Sequence, residues 1–203
     1  MPMIDSRRML DLLVALPAIA VFAVVAPVVG LAMWLSGDRG PLLYRAVRIG
    51  EGGKLLTVFK FRTMVAGAGG PAVTAAGDRR VTSIGGFLRK HRLDELPQAL
   101  NLARGDMSVV GPRPEDPTFV DWDQPLHRRV FNAKPGITGV TQLAFRNEAE
   151  LLFNSNPDDV YRRLILPAKL RLDASYLDRR SMRVDLRILL STAALFIRPQ
   201  RRA

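Results

Sequence analysis

The residues best suited to chemistry lie between Leu93 and Glu115, in the stretch LDELPQALNLARGDMSVVGPRPE. Two adjacent carboxylates, Asp94 and Glu95, precede Asp106 and then an arginine held between prolines, Pro112-Arg113-Pro114. Carboxylates hold a hard divalent cation that bridges phosphate oxygens. A planar guanidinium forks onto the same oxygens, and flanking prolines restrict the backbone that presents it. The combination points to phosphoryl chemistry assisted by a cation. Neighbouring residues on a helix project about 100° apart, so the two acids need not share one task. Like charges so close raise one pKa unless a cation or an arginine offsets them. A bound Mg²⁺ resolves that conflict and leaves one carboxylate free as a nucleophile. The plainer alternative is a pair of solvated acids capping a helix, with Arg113 paired to Glu115 or Asp106.

The elements that must position these groups follow from pattern. Thr82 to Leu102 has helical spacing in Ile84, Phe87, Leu88, Leu96 and Leu100. Pro97 is tolerated only in a first turn. One helix is therefore expected to end near His91 and another to start between Leu93 and Glu95, with the acids at its positive end. Leu42 to Tyr44, the basic stretch Arg45 to Arg48, the Gly50–Gly53 turn and Leu55 to Phe61 read as two short strands about a tight turn. Val65 to Gly77, rich in Ala and Gly, reads as a mobile surface loop. Asp116 to Asn132 reads as a loop and short helix, Lys134-Pro135-Gly136 as a turn, and Val140 to Phe145 as a short strand. Glu148 to Phe153, Pro157 to Ile165 and Pro167 to Asp178 read as separate helices. Asp185 to Ile197, with Arg183, Arg187 and Arg198 around it, is either an amphipathic helix on lipid headgroups or a core helix with snorkelling arginines. The class is α-rich α+β.

Composition narrows the partners. The chain has 203 residues, no cysteine and two histidines, which excludes disulfides and thiolate metal sites and disfavours a histidine-rich zinc site. Thirty Lys and Arg against 19 Asp and Glu give a net charge of +11, suited to headgroups, nucleotide diphosphates or nucleic acid. From Met9 to Leu35 the only charge is Asp11, so the run is long enough to cross or deeply enter a bilayer. It is too long for a cleaved signal peptide. Basic residues flank both ends, Arg7 and Arg8 before and Arg39, Arg45 and Arg48 after, unlike the one-sided bias of a simple span. Pro17 and Pro27 each remove a helix hydrogen bond. A re-entrant helix over 1–37 and a small catalytic domain over 38–203, with short strands and interfacial amphipathic helices, is the expected organisation.

Four ordered blocks carry a family resemblance: Lys60-Phe61-Arg62-Thr63-Met64, LDELPQ, GDMSVVGPRPE and Lys134-Pro135-Gly136-Ile137-Thr138-Gly139. Behind an apolar N-terminus, this chain resembles the bacterial sugar transferase family, the small monotopic phosphoglycosyl transferases. The resemblance implies a re-entrant membrane helix. Its usual Ser-Pro is replaced here by a later Ala26-Pro27, with Leu16-Pro17 besides. It also implies that Asp94 attacks the β-phosphate of a UDP-sugar, releasing UMP, and that polyprenyl phosphate then takes the phosphosugar. Carried over in the same way, Glu95 is a Mg²⁺ ligand that Asp173 would complete, and Tyr176 is the family's distal tyrosine. Arg113, Arg89, Lys60 and Arg62, with Pro112, would meet substrate phosphate, Arg92 being a second basic candidate. Lys134, Thr138 and Gly139 would shape the pocket, and Asp106 would orient the GDMS turn. The implied setting is the cytoplasmic face of a bacterial inner membrane among membrane lipids, with no nucleic acid and a homodimer left open. Longer relatives add a multi-span domain, and this chain is expected to hold the catalytic unit alone. Uridine rests on family analogy.

Two rivals stand beside this reading. A membrane-tethered basic scaffold or nucleic-acid-binding protein explains charge and anchor but leaves the acidic pair idle. A metal-dependent phosphohydrolase would pass the same phosphoenzyme to water.

Overall fold

Asp5 caps the first helix through Arg7 N–H, and the apolar run that follows forms α1, Ser6–Leu35. The structure, a computed structural model, describes residues 5–152 and 156–197. At 1.5 Å per residue α1 is about 45 Å long, and it continues through both Pro17 and Pro27. It is the one helix among the described residues long and apolar enough to cross a membrane, and most of its apolar stretch is unburied. Both ends are nevertheless docked. Near the start, Arg8 donates to the carbonyls of Leu102 and Ala103 at 2.6 Å each, satisfying the C-terminal end of α3 (Ala99–Arg104). Arg7 pairs with Asp185 at 3.0 Å. Asp11 is buried and accepts from Ser108 Oγ and Val109 N–H at 3.0 and 2.7 Å. Near the far end, Val29 and Met33 pack with Phe61 and Leu88. The basic residues before the apolar run thus serve the protein's own interior.

Two small sheets carry the site. β1 (Leu43–Ile49) and β2 (Leu55–Phe61) form the expected hairpin, antiparallel from Leu43 opposite Phe61 to Ile49 opposite Leu55. The free edge of β2 is closed by a side chain. Asn101, fully buried on α3, donates to Thr57 C=O at 2.7 Å and accepts Phe59 N–H at 3.1 Å, in place of a third strand. β3 (Ser108–Val110) runs parallel to β4 (Gly136–Thr138).

Here the structure corrects two expectations. Gly136 belongs to a strand, and a Cβ there would lie 2.0 Å from Gly111 N. Close approach, more than a turn, requires the glycine. Val140 to Phe145 is no strand: Val140–Ala144 is helix α5. Its Val140 and Leu143, three residues apart, pack together with Val110 and Ile188, and that contact overrides local β-propensity.

The helices α2 (Ser83–Lys90), α4 (Pro125–Phe131) and α6 (Glu148–Leu151) form where pattern placed them; Phe153, the expected end of the last, lies outside the described residues, as does Arg198. The two expected helices on either side of Pro167 are one continuous run. α7 (Pro157–Val160) passes through a π-turn, Tyr161–Ile165, into α8 (Leu166–Asp178). Pro167 has no N–H and crowds the carbonyl four residues back, which the wider turn accommodates. Residues 65–77 are irregular as read, yet Asp158 accepts the N–H groups of Ala72 and Val73 at 3.2 Å each. α9 (Met182–Ile197) buries Asp185 and Ile188 against the domain, while Leu186 and Leu190 face outward.

Asn101→Ala leaves a carbonyl and an N–H of β2 without partners. It should lower unfolding free energy by about 2 kcal/mol, measured by chemical denaturation in detergent micelles.

Candidate active site

The acids are presented by a tight turn with an unusual entrance. α2 ends at Lys90 with His91 as its cap, and Arg92 adopts φ 55°, the only positive φ at a non-glycine among the described residues. That left-handed conformation costs on the order of 1 kcal/mol for a residue with a Cβ. It turns the chain into a 3-10 segment, Leu93–Gln98, with Asp94 and Glu95 in its first turn. Pro97 falls inside this segment, before α3 starts at Ala99.

Three segments converge on Glu95. Its Oε1 accepts from Lys60 Nζ of β2 at 2.9 Å and from Arg113 Nη2 at 3.2 Å. Burial alone would raise the Glu95 carboxyl, but Lys60 and Arg113 outweigh it and hold it well below the usual carboxylate range. Asp94 moves the other way. Burial pushes it up, the Glu95 charge adds to that, and Lys60, Arg89 and Arg113 hold part of it back. Two neighbouring acids driven apart in this way are suited to different tasks. Arg89, on α2, donates Nε–H to Thr63 Oγ1 at 2.8 Å. Among the described residues, no hydrogen bond takes its two terminal nitrogens, which lie in the field of Asp94. α2 can come this close because Gly85 lies over Thr63, where a Cβ would be 2.0 Å from the carbonyl oxygen.

Arg113 is held from below. Pro112 C=O accepts Gly136 N–H at 2.8 Å and Gly111 N–H donates to Thr138 C=O at 3.0 Å, so the GPRP and KPGITG blocks are one construction. Pro112 acts there through its carbonyl. Glu115 does not pair with Arg113. It turns inward, where Tyr161 Oη donates to it at 2.5 Å and Lys169 Nζ donates to Tyr161 Oη at 3.2 Å. Lys169 also pairs with Glu148. Burial pushes Glu115 up and Lys169 down, toward their neutral forms.

The remaining predicted residues separate. Arg62 stands apart from the acids: its guanidinium pairs with Asp38 at 2.8 and 2.9 Å and donates to the carbonyls of Pro41 and Met64. It ties the exit of α1 to β2. Asp173, on α8, is buried, with Oδ2 accepting from Thr141 Oγ1 at 3.4 Å and Oδ1 without a partner. Its neighbours are Thr141, Lys169, Glu115 and the Arg113 backbone. Tyr176 donates to Asp185 at 2.7 Å. Asp106 N–H closes the turn after α3 on Asn101 C=O.

Among the described residues no group of three acidic, histidine or cysteine side chains is arranged to hold a metal. Mg²⁺ commonly takes one or two carboxylates and completes its shell with substrate phosphates and water. The Oε2 of Glu95, which no hydrogen bond occupies among the described residues, fits that pattern.

Sequence reasoning missed Asn101, Thr63 and the Tyr161–Lys169 pair, and it named Arg92 as a basic candidate where the structure makes it the left-handed residue at the entrance of the turn. Of those missed, only the pair left a signal: the two polar residues lie eight apart on one helical run.

A family model described as bacterial sugar transferase matches residues 4–199. The chain belongs to that family. It is a transferase by that membership, and its relatives agree. A UDP-glucose:undecaprenyl-phosphate glucose-1-phosphate transferase of Caulobacter vibrioides is 36% identical over 192 residues, covering 92% of this chain and 67% of the relative. A putative undecaprenyl-phosphate N-acetylgalactosaminyl 1-phosphate transferase of Bacillus subtilis is 38% identical over 147 residues, 70% of this chain and 74% of the relative. The Escherichia coli UDP-glucose:undecaprenyl-phosphate glucose-1-phosphate transferase is 38% identical over 152 residues, 72% of this chain but 32% of the relative. The transferase thus spans most of some relatives and a third of others.

Asp173 gives a pH test. Burial pushes its carboxyl up to about 7, above the ordinary value of about 3.9. For a raised acid, the stabilising contribution is present below the unfolded pKa and is lost as pH rises through the folded one. Asp173→Asn cannot ionise, so relative to the wild type it should gain on the order of 1 kcal/mol between pH 5 and pH 8, read from thermal unfolding at the two pH values.

Proposed function

We propose that this transferase moves a sugar 1-phosphate from a UDP-sugar to undecaprenyl phosphate through a phosphosugar bound covalently to Asp94. The observation that carries the reading is the convergence of Lys60 and Arg113 on Glu95, with the more basic Asp94 beside it. In the first step an Asp94 oxygen attacks the β-phosphorus. The bond to the bridging oxygen breaks, and UMP leaves with the electron pair. In the second, an oxygen of the acceptor phosphate attacks the same phosphorus and the Asp94 carboxylate is released. A covalent acyl phosphate divides one difficult displacement into two.

The side chains fit these tasks. Arg113 offers a guanidinium more than a third exposed on a backbone fixed by prolines. Arg89 brings a second cation to Asp94. Glu95, kept ionised by its two partners, is the residue that would hold Mg²⁺ and leave Asp94 free to attack; a divalent cation there would offset phosphate charge and make phosphorus more electrophilic. Donor diphosphate, acceptor phosphate and headgroups supply the anionic partners that the net charge of +11 calls for.

We also read the protein as seated in one leaflet on the cytoplasmic face. α1 touches the same domain at both ends, through Arg8 and Asp11 and through Val29 and Met33. Its exposed Leu13, Leu16, Val24, Val28 and Leu31 are left for lipid. A helix that enters and leaves on one side satisfies both facts. It also keeps Asp94 at the plane where a soluble donor meets a lipid-borne phosphate.

Incubation with the UDP-sugar alone, acid quench and intact-mass measurement should show a phosphosugar adduct on the wild type and none on Asp94→Asn. An active Asp94→Asn protein would remove the proposed nucleophile. Arg113→Lys loses the forked contact and should reduce kcat/KM on the order of tenfold, measured by UMP release.

A further inference from the structure

Arg113 stands in the field of three carboxylates, Glu95, Glu148 and Glu115, yet among the described residues only Glu95 accepts a hydrogen bond from its guanidinium. The other two acids are already taken. Glu115 turns inward and accepts from Tyr161 Oη at 2.5 Å and from Asp116 N–H at 2.9 Å. Glu148, on α6, pairs with Lys169 of α8. The two captures are joined, because Lys169 Nζ also donates to Tyr161 Oη at 3.2 Å. Ionised acids that share the field of one guanidinium compete for its forked donors, so what occupies the unused acids decides where Arg113 points.

Glu148 is the rival with access. Its side chain keeps 25% exposure and that of Arg113 39%, whereas Lys169 keeps 6%. Placing an ammonium so deep is costly unless its charge is met. Burial draws Lys169 toward its neutral form, Glu148 pulls it back, and Arg113 repels it. The rings of Tyr161 and Phe145, 4.7 and 5.7 Å from Nζ, favour the cation. The charge that Lys169 cancels therefore lies in the field of the guanidinium read as the phosphate clamp. We propose that Lys169 is a positioning residue: by occupying Glu148, while Tyr161 occupies Glu115, it leaves Arg113 to Glu95 and to the donor diphosphate. Without that ammonium, Glu148 draws Arg113 away from Glu95 and sets an uncompensated negative charge against the incoming phosphates. This rests on the reading of Arg113 as the group that grips the donor.

The test uses the full chain in phosphatidylethanolamine–phosphatidylglycerol vesicles with undecaprenyl phosphate. UMP release is read with whichever of UDP-glucose and UDP-N-acetylgalactosamine the wild type turns over faster. Lys169→Gln keeps a donor for Tyr161 and removes the charge. It should lower kcat/KM for the donor on the order of tenfold, chiefly through KM. Adding Glu148→Gln removes the competing acid, and the double variant should return to within about threefold of the wild type. A lysine that served packing alone would leave the double variant no better than Lys169→Gln, and that result overturns the assignment. An unchanged kcat/KM in Lys169→Gln overturns it too. Thermal unfolding identifies a variant that fails to fold, and Lys169→Met then takes its place. Failure of both single variants to fold makes Lys169 a folding residue and also overturns the assignment. Arg113→Lys is scored separately: full activity there sinks the clamp itself, whereas an impaired Arg113→Lys without rescue in the double variant sinks only the role of Lys169.

Discussion

One carboxylate, Glu95, holds the site together because it answers to two cations from different parts of the chain. Lys60 comes from β2 and Arg113 from the loop after β3, and both donate to the same oxygen. Glu95 is partly buried, with 26% of its side chain exposed, and burial disfavours its charge, so the turn that carries it loses an offsetting charge if it moves away from either partner. The consequence reaches Asp94. With Glu95 ionised beside it, Asp94 is the more basic of the pair, and the site has an acid that stays charged and another that is ready to react.

Backbone devices hold the cations where Glu95 requires them. β2 is fixed on one edge by β1 and on the other by the Asn101 amide, which sets the height of Lys60 relative to the turn. The Arg113 loop is fixed by two chain segments that touch at Gly111 and Gly136. Beneath it, Glu115, Tyr161 and Lys169 form a buried chain of hydrogen bonds. In a low-dielectric interior such a chain is rigid while every member is satisfied. Asp173 lies outside that chain, buried beside the Arg113 backbone.

The long helix belongs to the same construction. It joins two of the apolar clusters that make up the core, one with Leu102, Val110 and Ile188 and another with Phe61 and Leu88. Its charges at Arg7, Arg8 and Asp11 are all met by the domain. The apolar surface that faces outward is thus presented by a helix anchored at both ends, with α2 and the acids beside it.

Much of this was legible along the chain. The acidic pair, the proline-flanked arginine, the hairpin around Gly50–Gly53 and the long apolar helix all depend on local composition and spacing, and so did the family resemblance. What depends on distant partners was not. Residue type alone did not separate Lys60, which reaches Glu95, from Arg62, two residues on, which is taken up by Asp38. In a strand, residues two apart share a face, so only the tertiary neighbours decide their roles. The same holds for Gly136, whose need for a missing Cβ arises from Gly111, and for Val140 to Ala144, helical because α5 packs on Val110 and Ile188. Sequence by itself determined which groups exist and their order; tertiary structure decided which of them meet, since a charge or a close contact is defined by what lies opposite it.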